Sequence, residues 1–110
     1  MRALVVGWKL KRRAKMKTDR ELLEFAARAA GIEHVTPMMI EWGKWNPLES
    51  DRYALRLAVR LSMLVDVTAF SVTAIVNGAI IAKEKHDGDP YAATRRAIVR
   101  AAAAIGEGMR

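Results

Sequence analysis

Apolar residues recur at helical spacing in three stretches of this chain and alternate with polar ones in a fourth. In the first, "TDRELLEFAARAAG" (residues 18–31), an advance of about 100° per residue puts Leu22, Phe25, Ala26 and Ala29 on one face. Glu24 and Arg28 fall on the other face and form an i,i+4 pair. Thr18 followed by Glu21 is a capping box, which starts the helix. Gly31 ends it as a left-handed cap, with Ile32 placed to fold back on the last turn. A second helix is expected over residues 50–62, burying Ala54, Leu55, Ala58, Val59 and Leu61 and stacking Arg52, Arg56 and Arg60 outside. The third, "DPYAATRRAIVRAAAAIG" (residues 89–106), has Asp89 as N-cap and Pro90 in the first turn, where a missing amide costs nothing. Its inward face reads Tyr91, Ile98, Ala102 and Ile105, and Gly106 stops it.

Between the last two helices the period changes to two. Val65, Val67 and Ala69 alternate with Asp66 and Thr68, and then Phe70, Val72, Ala74 and Val76 alternate with Ser71 and Thr73. The phase flips between Ala69 and Phe70, which requires a bulge or a turn there. Asn77-Gly78 is a strong hairpin signal, and the return strand runs from Ala79 to about Lys85. Residues 33–49 are punctuated by Pro37, Gly43 and Pro47 and allow only a short strand over residues 38–41. The expected fold is therefore α+β, one small domain in the order α-α-β-β-α, with an antiparallel hairpin or small sheet packed against helices.

Composition adds a division of charge. The formal net charge of +7 comes wholly from the leader: residues 1–17 carry seven basic residues and no acid, and the remainder has twelve of each sign. Residues 1–15 are thus read as a basic extension and residues 16–110 as the domain. Met16 opens "MKTDRELLE", so an arm that binds, a disordered tail and a start site placed too far upstream all stand as readings of the leader. In the leader the apolar Leu4-Val5-Val6 precedes the basic block, the reverse of a secretory signal, so no export is expected. The uncharged run of residues 67–82 is shorter than the ~20 residues a membrane helix needs, and it contains the hairpin signal. A cytoplasmic protein without a membrane segment is expected.

Candidate chemistry is sparse. With no cysteine and two histidines, His34 and His86, far apart in the chain, no metal or cofactor site is expected. "HDGD" at residues 86–89 reads as a turn leading to the Asp89 cap. There is no nucleophile elbow, phosphate loop or catalytic triad pattern, so no enzyme and no catalytic residue is expected. Two binding readings remain. Trp42 and Trp45 in "EWGKWNPL" are candidate anchors for a protein partner, or else a lid on the core. Lys9, Lys11, Arg12, Arg13 and Lys15, beside Trp8, together with Arg96 and Arg100, are candidate contacts to nucleic acid, or else solvated charge. The hairpin edge offers a further route, to homo-oligomers or to another chain.

The blocks "TDRELLEFAARAAGI", "WNPLESDRYALRLAVRL" and "DPYAATRRAIVRAAAAIG" in this order resemble a family of small bacteriophage and prophage proteins of Gram-negative bacteria. The resemblance covers residues 16–106 and implies no activity, cofactor or catalytic residue. It implies a setting: a phage accessory protein acting in the host cytoplasm. The neutral body, the lack of catalytic patterns, the loop tryptophans and the hairpin edge add the expectation that it acts by binding a host or phage protein.

Overall fold

The computed structural model describes residues 17–31, 35–86 and 88–109. In chain order they form α1 (Asp19–Ala30), α2 (Pro37–Glu41), α3 (Asp51–Arg60), β1 (Leu64–Val67), β2 (Ser71–Val76), β3 (Ala79–Lys85) and α4 (Pro90–Glu107). The expected α+β class is what forms. A three-stranded antiparallel sheet in the order β1-β2-β3 lies on one side of α4, and α1 and α3 lie on its other side.

The helix starts follow their local signals. The Thr18 hydroxyl accepts from the Glu21 amide at 3.2 Å while the Thr18 amide donates to the Glu21 carboxylate at 2.9 Å. These hydrogen bonds to the charged form hold the Glu21 carboxyl below its usual range, the backbone bond foremost, with Lys17 adding to the effect. Gly31 takes the left-handed conformation as expected, at φ 70°. Ser50 caps α3 through Tyr53, and Asp89 caps α4 through Ala92 at 3.0 Å.

Residues 38–41 are helical rather than extended. Thr36 accepts from the Met39 amide at 3.2 Å and Pro37 follows it, which is an N-cap and first-turn pair. That local chemistry outweighs the strand propensity of the short apolar run.

The phase flip at Ala69–Phe70 is a turn. The Thr68 hydroxyl accepts from the amides of Phe70 and Ser71 at 3.2 and 3.1 Å, and the Thr68 amide donates to the Ser71 carbonyl at 2.9 Å. Asn77 and Gly78 both have positive φ, 54° and 79°, the pattern of a type I′ hairpin turn. A register shift at Ala74/Ile75 places an extra residue on β3 opposite that point. Val72, Ala74 and Ala82 form the inner face of the sheet.

α4 is buried along two seams, which explains its alanines. Ala93, Ala97 and Ala101 meet the sheet, while Ile98, Val99, Ala102 and Ala103 meet α1 and α3. Small side chains let both layers approach a single helix. Two expectations change here. Tyr91, expected inward, is 69% exposed, because at the start of α4 it lies beyond both seams. Gly106 does not end the helix, which runs on to Glu107. A Cβ on Gly106 would lie 1.8 Å from the Phe25 carbonyl oxygen, so its bare backbone is where α4 touches α1.

The buried arcs of the shorter helices also differ from expectation. α1 buries Leu22, Leu23, Ala26, Ala27 and Ala30, with Phe25 only half-buried. α3 buries Ala54, Leu57 and Ala58 and leaves Leu55 and Val59 64% and 69% exposed. α3 packs mainly on α4 along a narrow seam, which leaves Leu55 and Val59 uncovered.

Candidate interaction surface

The residues singled out in the sequence separate in space. Trp45 is 7% exposed and belongs to the main core. Trp42, three residues earlier, follows the last turn of α2 and is 64% exposed. Gly43 between them has φ 71°, the left-handed turn that parts the two rings. Only Trp42 is placed where a partner could reach it.

The arginines of α4 each have a carboxylate. Arg96 pairs with Asp19 at 3.3 Å, and Arg100 pairs with Glu84 on β3. Arg95 donates to Asp51 at 2.6 Å and to the Leu48 carbonyl at 2.8 Å, tying α4 to the start of α3. On α3, Arg60 donates to the Ala30 carbonyl, whereas Arg52 and Arg56 have no carboxylate partner among the described residues. The two stripes do not merge: Arg96 and Arg100 bridge α1 and β3, and α3 flanks the groove beside β1, at the opposite edge of the sheet. Lys9, Lys11, Arg12, Arg13 and Lys15 lie outside the described residues, as does the "RALVVGW" segment that could add an edge strand.

His86 is a clamp in this structure. Its Nε2 lies 3.0 Å from the Thr68 carbonyl, and its amide donates to the Phe70 carbonyl at 3.3 Å, so the end of β3 holds the β1–β2 turn. Among the described residues no group of three or more His, Cys, Asp or Glu side chains could hold a metal ion. None of the described helices is long and apolar enough to cross a membrane.

One surface feature joins residues the sequence assigned to the core. A groove of about 540 Å³ runs between α3 and β1 above the first half of α4. Ala54, Ala58 and Ile98 form its floor, and Leu55, Val65, Val67 and Tyr91 rise around it. The Asp51–Arg95 ion pair is the charged element in its wall. Leu55 borders both this groove and a second hollow of about 630 Å³ lined also by Trp45, Tyr53, Arg56, Val59 and Arg60. A mainly apolar groove of this size has the dimensions of a binding site.

Helical periodicity leaves Leu55 and Val59 off the arc of Ala54, Leu57 and Ala58, so the exposed ridge beside this surface is legible in the sequence. The signal that marks it is interleaving: on a helical wheel Leu55 and Val59 fall beside Arg52 and Arg56 rather than opposite them. A helix whose apolar arc abuts unpaired arginines has more apolar width than its own fold covers. Comparison with protein-family models, curated proteins and solved structures gives no match for this chain.

Proposed function

We propose that this protein is a non-enzymatic accessory factor of phage or prophage origin that acts by binding a host or phage protein through the groove between α3 and β1. The phage setting comes from the resemblance of the three sequence blocks. The binding reading rests on one observation, the apolar groove whose walls include the exposed Leu55 and Tyr91. Burying such side chains against a partner contributes roughly 1.5–3 kcal/mol for each one fully covered.

The test is co-purification from lysate of the proposed host with the full chain, comparing wild type with Leu55→Asp. Leu55 projects into solvent, so the variant keeps its circular dichroism spectrum and loses the retained partner by about tenfold or more. Retention of nothing by the wild type, or of the same partner equally by Leu55→Asp, would overturn the reading. Trp42→Ala in the same assay reports whether the exposed ring that follows α2 extends the binding surface.

A further inference from the structure

We infer that the outer face of the sheet, turned away from α4, packs against the same face of a second copy of this chain, about a two-fold axis running along β2. The inference goes beyond the groove reading and does not rest on it, since the groove lies on the inner side of β1.

The register fixes which side chains share the outer face. Val72, Ala74 and Ala82 turn inward to α4. Side chains alternate between the two faces along a strand, and directly paired residues share one face. Leu64, Ile75 and Ile80 therefore form one outer row, and Asp66, Thr73 and Lys83 form the next. The register shift at Ala74/Ile75 keeps Ile81 against the inner cluster while Ile80 turns out. Leu64 and Ile80 are both exposed. Among the described residues the helix in extensive contact with the sheet is α4, on its inner side. Asp66 and Lys83 stand on the two flanking strands, two strand spacings or about 9–10 Å apart. Neither has an ion-pair partner among the described residues.

The charge pattern selects what covers this face. A two-fold axis along β2 lays β1 on β3 of the second copy, and β3 on its β1. Asp66 then meets Lys83 of the other copy, twice over, and Leu64 meets Ile80. Thr73 and Ile75 meet their own counterparts across the axis. Stacked sheets lie about 10 Å apart with strands within about 30° of parallel, a gap these side chains fill. A two-fold axis across the strands does the opposite: it sets Asp66 on Asp66 and Lys83 on Lys83, and lays the apolar row on Ser71 and Lys85. The leader is a poor occupant, because its seven basic residues and no acid would set like charge against Lys83 and Lys85. A second copy supplies both charges and the apolar row by symmetry. The face is three strands wide, smaller than the roughly 20–30 residues a side of a standard interface, so a dissociation constant on the order of 100 µM is expected.

The experiment is sedimentation velocity of the full chain from about 10 µM to about 1 mM, with a monomer–dimer equilibrium as the expected result. Asp66→Lys sets like charge against Lys83 of the other copy, and Lys83→Asp sets like charge against Asp66. Each variant alone should associate at least about tenfold more weakly than wild type. Mixed together they restore both pairs, so a heterodimer of near wild-type affinity should form, which damage to the fold would not produce. Should either reversal fail to fold by circular dichroism, Thr73→Arg places two like charges on the axis and should weaken association by about tenfold or more. A chain that stays monomeric throughout would overturn the inference and leave the face to the leader or to another protein. A dimer indifferent to these substitutions, or single variants that ignore one another on mixing, would overturn it too. So would a dimer dissociated by Leu55→Asp, because the groove would then be the contact.

Discussion

At the scale of single residues, neighbours of similar type do unlike things. Trp45→Ala removes a ring from the main core and should cost about 3–5 kcal/mol, whereas exposed Trp42→Ala should stay within about 0.5 kcal/mol. Urea unfolding of the two variants measures the contrast. Equal costs would mean that Trp42 is packed. Gly106→Ala is the smallest substitution with a large expected effect, because its Cβ would enter the Phe25 carbonyl. Overpacking of this kind costs roughly 1–3 kcal/mol or more, and the added helix propensity of alanine, about 1 kcal/mol, does not offset it. A variant as stable as wild type would mean that α1 and α4 can separate freely. The Glu21 carboxyl has its folded pKa lowered, so its contribution to stability is present above its unfolded pKa and is lost as pH falls through the folded value. Glu21→Gln should therefore be somewhat less stable than wild type at neutral pH and converge with it in acid, flattening the acid limb of a stability profile measured by urea unfolding.

At the scale of elements, boundaries are legible wherever a cap or turn residue marks them. Thr18, Gly31, Asn77-Gly78 and Asp89-Pro90 each satisfy or free a specific backbone group, and the chain turns where they stand. α2 escapes a strand-propensity reading because its β-prone residues hide the Thr36-Pro37 cap that starts it. Faces are harder to read than boundaries. The expected inward positions of α3 and α4 included Leu55, Val59 and Tyr91, all of which are exposed. Conversely, Ala93, Ala97 and Ala101 pack against the sheet, although alanine has little weight in a hydrophobic pattern. Enlarging this seam is an informative test: Ala97→Leu should destabilise by about 1–3 kcal/mol through overpacking, measured by thermal or urea unfolding. A stabilised variant would show that the sheet and α4 have slack between them. His86→Ala should release the Thr68–Phe70 turn, seen as faster amide hydrogen exchange at Phe70 and Ser71 with the rest of the sheet unchanged.

At the scale of the whole molecule, α4 organises everything else. It forms the middle layer between the sheet and the helices α1 and α3, and its arginines fasten both sides: Arg96 to α1, Arg100 to β3 and Arg95 to α3. These pairs set an expectation for nucleic acid. Whatever affinity the full chain has for DNA or RNA should keep the same salt slope in Arg96→Ala combined with Arg100→Ala, because these charges are already answered inside the fold. Each phosphate left without its cation would lower the slope by about 0.7–0.9. A slope reduced by that amount or more would return the two arginines to the binding surface.

The division between what local chemistry settles and what assembly settles is clear in this chain. Caps, turn residues and the two hydrophobic periods act over a few residues, so they specify the α+β class, the hairpin and most element ends without reference to tertiary packing. Which part of each apolar arc is covered depends on how many neighbours an element has and how closely they approach. α4, with small residues on two sides, is enclosed; α3, packed mainly along one seam with α4, is not. The groove with Leu55, Val67 and Tyr91 around it exists because α3 and β1 both lean on α4 and leave a gap between them. No spacing along the chain encodes that gap, since it is a property of three elements and the distances between them.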